Sequence, residues 1–292
     1  MTEPPATVAP LALPPDLAAS LVLLRHAQSV WLAEGRFQGQ ADTPLSALGQ
    51  RQAELAGLRL ADPWAPPRLP VPPGDPIVIV HSPLARTAQT AAAVAAAIVA
   101  RGRPAPPLVP EPGLREIGQG AWEGLLQRDV ESGWPEEIAG WRRDPIRTFA
   151  PGGESLVEVD RRVRAALSGV MDGLARASWT AGTAADASAV AGSPAPATPS
   201  FYDPHAGPWA LLVGHDGAFK VALLALLGLP LDRFWTFTQA TTGIAVLDIR
   251  NGRAVLRAWN RTEHLAPLEI EAGETARRAE DEAAARSRGG AL

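Results

Sequence analysis

The chain contains no cysteine and a single lysine, Lys220. The first absence rules out disulfides, thiolate metal sites and any enzyme that uses a cysteine nucleophile. The second, together with the lack of any Gly-x-x-x-x-Gly-Lys-Ser/Thr stretch, rules out a P-loop nucleotide hydrolase. Net charge is −4, so no overall basic field offers itself to nucleic acid. Long apolar runs are also missing. Those around Ala91–Ala100 and Val221–Leu229 stop well short of the ~20 residues that span a bilayer. The start of the chain carries Pro4, Pro5, Pro10, Pro14 and Pro15 and no basic residue before Arg25, which does not read as a secretory signal. A soluble, cytoplasmic protein is expected.

What the chain has is three apolar runs with polar ends. Leu21–Leu24 stops on Arg25-His26; Ile77–Val80 leads into His81-Ser82-Pro83-Leu84-Ala85-Arg86; Trp209–Val213 leads into Gly214-His215-Asp216-Gly217. Buried strands that end this way deliver side chains to the C-terminal edge of a sheet, where open α/β folds place their ligands. Ser82 reads as an N-cap and Pro83 as the first helical residue, which puts Arg86 in a first helical turn. If the strands are neighbours in one parallel sheet, Arg25, His26, Arg86 and His215 meet at one point. Helix N-termini add positive potential there. Such a cluster is a phosphate site.

The rest of the chain organises around these runs. With 46% hydrophobic residues it can bury a substantial core. Residues 1–16 read as a disordered Pro/Ala-rich tail, 17–268 as a single domain and 269–292 as a polar tail. Ser46 to about Leu60 is predicted helical, with Leu48, Leu55 and Leu58 near one face, and Ser82–Arg101 is predicted as an alanine-rich helix. Ser155 and Glu158 form a capping box, followed by Leu156, Val159, Val163, Leu167, Val170 and Leu174 at helical spacing. From about 177 to 208 the apolar period is lost, which reads as a flexible insertion. A helix after His215 ends at Gly228, ahead of Pro230. Gly243–Ile249 and Arg253–Trp259, joined by Asn251-Gly252, read as an edge hairpin. The Arg161-Arg162-Arg164 cluster reads as a solvated helix face, and His81, His205 and His264 as structural or surface residues.

Further stretches fall in line with the first three. They are Arg25-His26-Ala27-Gln28-Ser29, Gly35 through Ser46 with Gly49 and Gln52-Ala53, Ser82-Pro83-Leu84 with Arg86 and Gln89-Thr90-Ala91, and Leu114-Arg115-Glu116-Ile117 with Gly120 and Trp122-Glu123-Gly124. Gly152-Gly153-Glu154-Ser155, Gly214-His215-Asp216-Gly217 and Asn260 with His264-Leu265 complete the set. In this order and spacing, from about Leu21 to Leu265, the chain resembles the histidine phosphatase superfamily, the phosphoglycerate mutase-like enzymes. The resemblance implies a three-layer α/β sandwich with a mostly parallel central sheet.

It also implies roles. His26 would be the nucleophile, with a backbone carbonyl holding its other ring nitrogen. Arg25, Arg86 and His215 would surround the phosphoryl oxygens. Glu116 matches the family's proton donor, with Glu123 as the nearby competitor, and Gln38 and Gly39 match a substrate-contacting loop. No metal or other cofactor is needed, because the Arg/His cluster supplies the positive charge. The partner implied is a small phosphorylated substrate, with no nucleic acid and no membrane, and a homodimer is compatible with the chain.

Two positions depart from the family pattern. Ala27 stands where glycine is usual, and Leu32 stands where an asparagine normally helps bind phosphate. The short segment between Glu116 and Gly152, with Gln38, points to the phosphatase branch rather than to a mutase. A non-catalytic protein that binds phosphate esters is permitted by Leu32, whereas five intact catalytic matches argue against it. Sugar phosphates, α-ribazole phosphate, nucleotides and phosphoproteins all stay open as substrates.

Overall fold

The computed structural model describes residues 11–188 and 207–271. Its centre is a six-stranded sheet. The strands are β1 (Ala19–Arg25), β2 (Val78–His81), β3 (Leu108–Pro110), β4 (Trp209–Gly214), β5 (Ile244–Arg250) and β6 (Arg253–Arg261), in the spatial order β3-β2-β4-β1-β5-β6. β3, β2, β4 and β1 run parallel, and β5 and β6 are antiparallel. Both faces of the sheet are covered, and strand periodicity divides the core accordingly. Leu21 and Leu23 of β1 pack in one cluster and Val22 and Leu24 in the other. In the same way Ala210 and Leu212 of β4 face one side, and Trp209, Leu211 and Val213 the other. This is the three-layer sandwich with a mostly parallel sheet.

One face carries α2 (Ala47–Ala61) and α3 (Ala85–Ala100); a short α1 (Val30–Ala33) precedes them. The other face carries α6 (Leu156–Ser188) and α7 (Asp216–Leu227), while α4 (Gln127–Gly133) and α5 (Pro135–Arg143) lie between β3 and α6 in the chain. The connection out of β1 therefore crosses one face and the connection out of β4 the other. Since β1 and β4 are neighbours, the crevice beyond their C-terminal ends is the switch point where such sheets bind ligands.

Several local expectations need correcting. The buried face of α2 is made of Gly49, Gln52, Ala53, Ala56, Gly57, Leu60 and Ala61, whereas Leu48 and Leu58 point to solvent. Small residues win because α3 comes very close: a β-carbon on Gly57 would lie 2.7 Å from the Ala93 carbonyl oxygen. α3 begins at Ala85 after an N-cap at Leu84, so Ser82 is not the N-cap, and its hydroxyl accepts the Leu84 N–H only at 3.4 Å. α6 does not stop before Ala177 but runs to Ser188, where alanines at 177, 181, 184, 185 and 187 offset weaker helix formers such as Thr180, Gly182 and Thr183. The remainder of the expected insertion, 189–206 with His205, lies outside the described residues, as do residues 1–10 and 272–292 of the two tails. Within the first tail, Leu11 and Leu13 pack against the core. The edge hairpin forms as read: Asn251 and Gly252 both adopt positive φ, at 50° and 67°, as a tight turn between twisted strands requires. β3 was not expected. Its three exposed residues form an edge strand ending in Pro110, too short to leave a period in the sequence.

Candidate active site

The residues singled out in sequence converge on the switch point. His26 follows β1 directly, and its backbone N–H donates to Gly214 O at 2.9 Å, extending the β1–β4 ladder by one residue. The ring is 2% exposed. Its Nδ1 lies 2.7 Å from the Ala27 carbonyl oxygen, and because a carbonyl can only accept, Nδ1 carries the proton and Nε2 is bare. Burial, then the charges of Arg86 and Arg25, hold the pKa of His26 well below its ordinary 6.5. The imidazole is therefore neutral at physiological pH. Ala27, where the family pattern has glycine, is fully buried against Leu45 and Ala53, so its methyl group is absorbed by packing.

His215 is the N-cap residue of α7, at the end of β4, and its ring centroid lies 5.0 Å from that of His26 at an interplanar angle of 61°. Its Nε2 is 2.9 Å from Ser82 Oγ, the closer of the two contacts that this hydroxyl makes. Burial, followed by Arg86 and His26, depresses its pKa as well.

Arg86 is fully buried in the first turn of α3. Its Nη1 donates to Ala41 O at 2.9 Å and its Nη2 to Gly39 O at 2.8 Å. Burial lowers its pKa, and Glu116, Asp42 and Glu123 oppose that. Arg25 donates through Nη1 to Gln239 O and sits 3.9 Å from Asp216 Oδ1; that oxygen accepts the Gln239 N–H, while Asp216 Oδ2 pairs with Lys220 at 2.6 Å. Arg25, Arg86 and His215 each keep one buried nitrogen, Nε, Nε and Nδ1, with no hydrogen-bond partner. An unpaired buried polar group costs about 1–3 kcal/mol, and donors of this kind can pair with an anionic oxygen.

Glu116 stands in irregular chain between a short 3₁₀ turn at Pro112–Leu114 and another at Gly120–Trp122. Its carboxylate accepts from the N–H groups of Ile117 at 2.9 Å, Ala218 at 3.1 Å and Gly217 at 3.3 Å, the last two at the N-terminus of α7. Gly217 must be glycine for this contact, since a β-carbon there would come within 2.6 Å of Glu116 Oε1. Glu123 is spent differently. It accepts the backbone N–H groups of Gln40, Ala41 and Gln119, so it fastens the 38–41 loop instead of facing His26. Gly39 itself has φ +52° and backs onto the Glu123 carboxylate, leaving no room for a side chain. Gln38 lies nearby with its amide oxygen accepting from Ser29 Oγ. Leu32, in α1, is half-buried and brings no amide, and only its backbone N–H bonds to Ser29 Oγ.

The histidines outside the cluster behave differently from one another. His81 is buried with Nδ1 on Ser82 O, a structural role as expected. His264 is not a free surface residue: its Nε2 meets Thr242 Oγ1 at 3.2 Å and burial drops its pKa to about 4. The arginine cluster of α6 also needs correction. Arg161 is solvated, whereas Arg164 pairs with the buried Asp160 at 2.7 Å. Arg162 reaches Glu154 and the backbone around Glu116. Ser82 and Asp216 lie in stretches the sequence marks but with no role assigned to them there, and Gln239 and Arg162 support the site without any motif of charge or spacing that would reveal them. Their partners are distant in sequence. Among the described residues no group of three or more His, Asp or Glu side chains is arranged to hold a metal ion, and no helix is long and apolar enough to cross a membrane.

Comparison with known proteins agrees with this geometry. The family model for the histidine phosphatase superfamily (branch 1) matches residues 21–181 and 200–262. A phosphoserine phosphatase 1 from Hydrogenobacter thermophilus is 29% identical over 252 residues, covering 86% of this chain and 97% of that protein. A glucosyl-3-phosphoglycerate phosphatase from Mycolicibacterium vanbaalenii is 32% identical over 214 residues, 73% of this chain and 76% of the other. Among solved structures, a mycobacterial glucosyl-3-phosphoglycerate phosphatase in complex with VO3 superposes with a TM-score of 0.63 at 26% identity, covering 83% of this chain and 99% of that one.

Proposed function

We propose that this chain, which belongs to branch 1 of the histidine phosphatase superfamily, is a metal-independent phosphomonoesterase that works through a phosphohistidine on His26. The observation that carries the reading is the state of His26: neutral, its proton fixed on Nδ1 by Ala27 O, its Nε2 bare amid Arg25, Arg86 and His215. A neutral imidazole with a free lone pair is the form that attacks phosphorus.

In this reading a phosphate monoester enters with its oxygens toward Arg25 Nε, Arg86 Nε and His215 Nδ1. His26 Nε2 forms the N–P bond as the ester P–O bond breaks, and the departing alkoxide takes a proton from Glu116. Glu116, now a carboxylate, draws a proton from water. The water oxygen attacks phosphorus, the N–P bond breaks, and inorganic phosphate leaves with His26 restored. Two guanidiniums supply the charge that a metal provides elsewhere. The relatives named above as phosphatases support hydrolysis as the outcome, and phosphoserine and glucosyl-3-phosphoglycerate are the first esters to try.

A panel of small phosphate esters, assayed for phosphate release in excess chelator, tests the proposal. Turnover of at least one ester, with inhibition by vanadate, is the expected result. Exchange of phosphoryl groups between phosphoglycerates far faster than phosphate release would make the protein a mutase. Tight ester binding without turnover would make it a binding protein.

A further inference from the structure

Arg162 places all five of its N–H donors on one target. Nε donates to Glu154 Oε1 at 2.9 Å and Nη2 to Glu154 Oε2 at 2.8 Å and Glu116 O at 2.9 Å. Nη1 donates to Gly113 O at 2.8 Å and Arg115 O at 2.7 Å. Glu154 returns the grip, accepting the Gly118 N–H at 2.8 Å, while its own N–H donates to Gly118 O at 2.9 Å. Gln40 closes the ring, its Nε2 donating to Glu154 Oε2 at 2.9 Å and to Glu116 O at 3.2 Å. Burial works against the Glu154 carboxylate, yet the Arg162 and Gly118 hydrogen bonds outweigh it and keep its pKa below the ordinary value.

Every backbone group this network captures belongs to the segment Gly113–Gly118, which has no strand or helix beyond the first 3₁₀ turn to hold it. Glu116 sits in its middle. Gln40, moreover, follows Gly39, whose carbonyl holds Arg86. The network thus spans from the loop that orients the buried guanidinium to the loop that carries the carboxyl.

We infer that Arg162, Glu154 and Gln40 are positioning residues for proton transfer: they fix the loop so that Glu116 reaches the N-terminus of α7 beside His26. The inference rests on Glu116 being the proton donor. Arg162 and Glu154 separate two demands of the reaction, since they hold the donor's loop and make no hydrogen bond to Arg25, Arg86 or His215, whereas Gln40 lies between the two carbonyls that hold Arg86. An Arg at this position is not replaceable by Lys, because only the planar fork serves five acceptors at once.

The test compares an alkyl ester, phosphoserine or glycerol phosphate, with p-nitrophenyl phosphate, whose leaving group scarcely needs a proton. Arg162→Lys should lower kcat on the alkyl ester by ~10²-fold, the scale of a misplaced catalytic group, and on p-nitrophenyl phosphate by less than ~5-fold. Vanadate inhibition should stay within ~2-fold of wild type. Guanidinium added to Arg162→Ala should restore part of the alkyl-ester activity. Equal losses on both esters, or a parallel loss of vanadate binding, would overturn the inference. Should Arg162 variants fail to fold, Glu154→Gln weakens the clamp at the carboxylate that Arg162 and the Gly118 N–H share, and must show the same split, at smaller size. Glu116→Gln is the control. If it loses equally on both esters, the donor assignment itself fails, whatever the clamp variants do.

Discussion

The two halves of the site are built on different principles. The half proposed to face phosphate comes from the ends of regular elements: Arg25 and His26 at the end of β1, His215 at the junction of β4 and α7, Arg86 in the first turn of α3. Hydrogen-bonded strands and packed helices fix these positions, and local partners such as the Ala27 carbonyl and Ser82 hydroxyl complete them. The half proposed to transfer the proton, by contrast, is irregular chain. Glu116 has no ladder to hold it and depends on side chains from α6 and on the N-terminus of α7. A charge cluster can be read off a sheet edge. A lone carboxyl in a loop has to be held by a scaffold of its own, and that scaffold is paid for by residues with no chemical role.

Removing the first half should hurt most and without discrimination. Arg86→Ala and Arg25→Ala each remove charge from the transition state and should cost ~10²- to 10³-fold in kcat on every ester, alkyl or aryl. A loss confined to alkyl esters would erase the distinction. Glu116→Gln should cost ~10²-fold or more on alkyl esters, far less on p-nitrophenyl phosphate, and leave vanadate binding in place. Gly217→Ala is a finer probe. The added methyl, 2.6 Å from Glu116 Oε1, should displace the carboxyl and cost ~10-fold on alkyl esters alone.

The smallest effect sharpens the contrast through stability. His26, His215 and His264 are held neutral by burial, so the unfolded chain binds more protons than the folded one once pH drops below their ordinary pKa of 6.5. Stability should therefore fall as pH is lowered below about 6.5, with the His264 share exhausted near pH 4. Urea midpoints across that range would measure the slope, and His264→Gln should flatten it.

The same contrast decides what the sequence reveals. Runs such as Leu21–Leu24 and Trp209–Val213 announce both their strands and the residues they deliver, because burial on two faces leaves a continuous apolar signal. Ser155 and Glu158 announce the start of α6 through short-range capping. Arg162 cannot be read this way. It sits one residue from the solvated Arg161, and only the partners it meets, from Gly113 to Glu116, give it a role. Leu48 and Leu58 mislead for a related reason: their outward position is set by how closely α3 approaches Gly57, a distance that no local pattern encodes. The resemblance already favours Glu116 over Glu123 as proton donor; what the fold adds is which backbone groups surround each carboxyl, the start of α7 for Glu116 and the 40–41 loop for Glu123.

The central claim is that a phosphoryl group passes through His26. Rapid quench of the wild type with a ³²P-labelled ester it turns over, followed by separation of protein from ester, measures this directly. The account predicts a transient phosphoprotein that is labile in acid and stable in alkali, that accumulates further in Glu116→Gln, and that is absent in His26→Ala along with turnover. Turnover by His26→Ala at an undiminished rate, or label that survives acid and falls elsewhere in the chain, would contradict it.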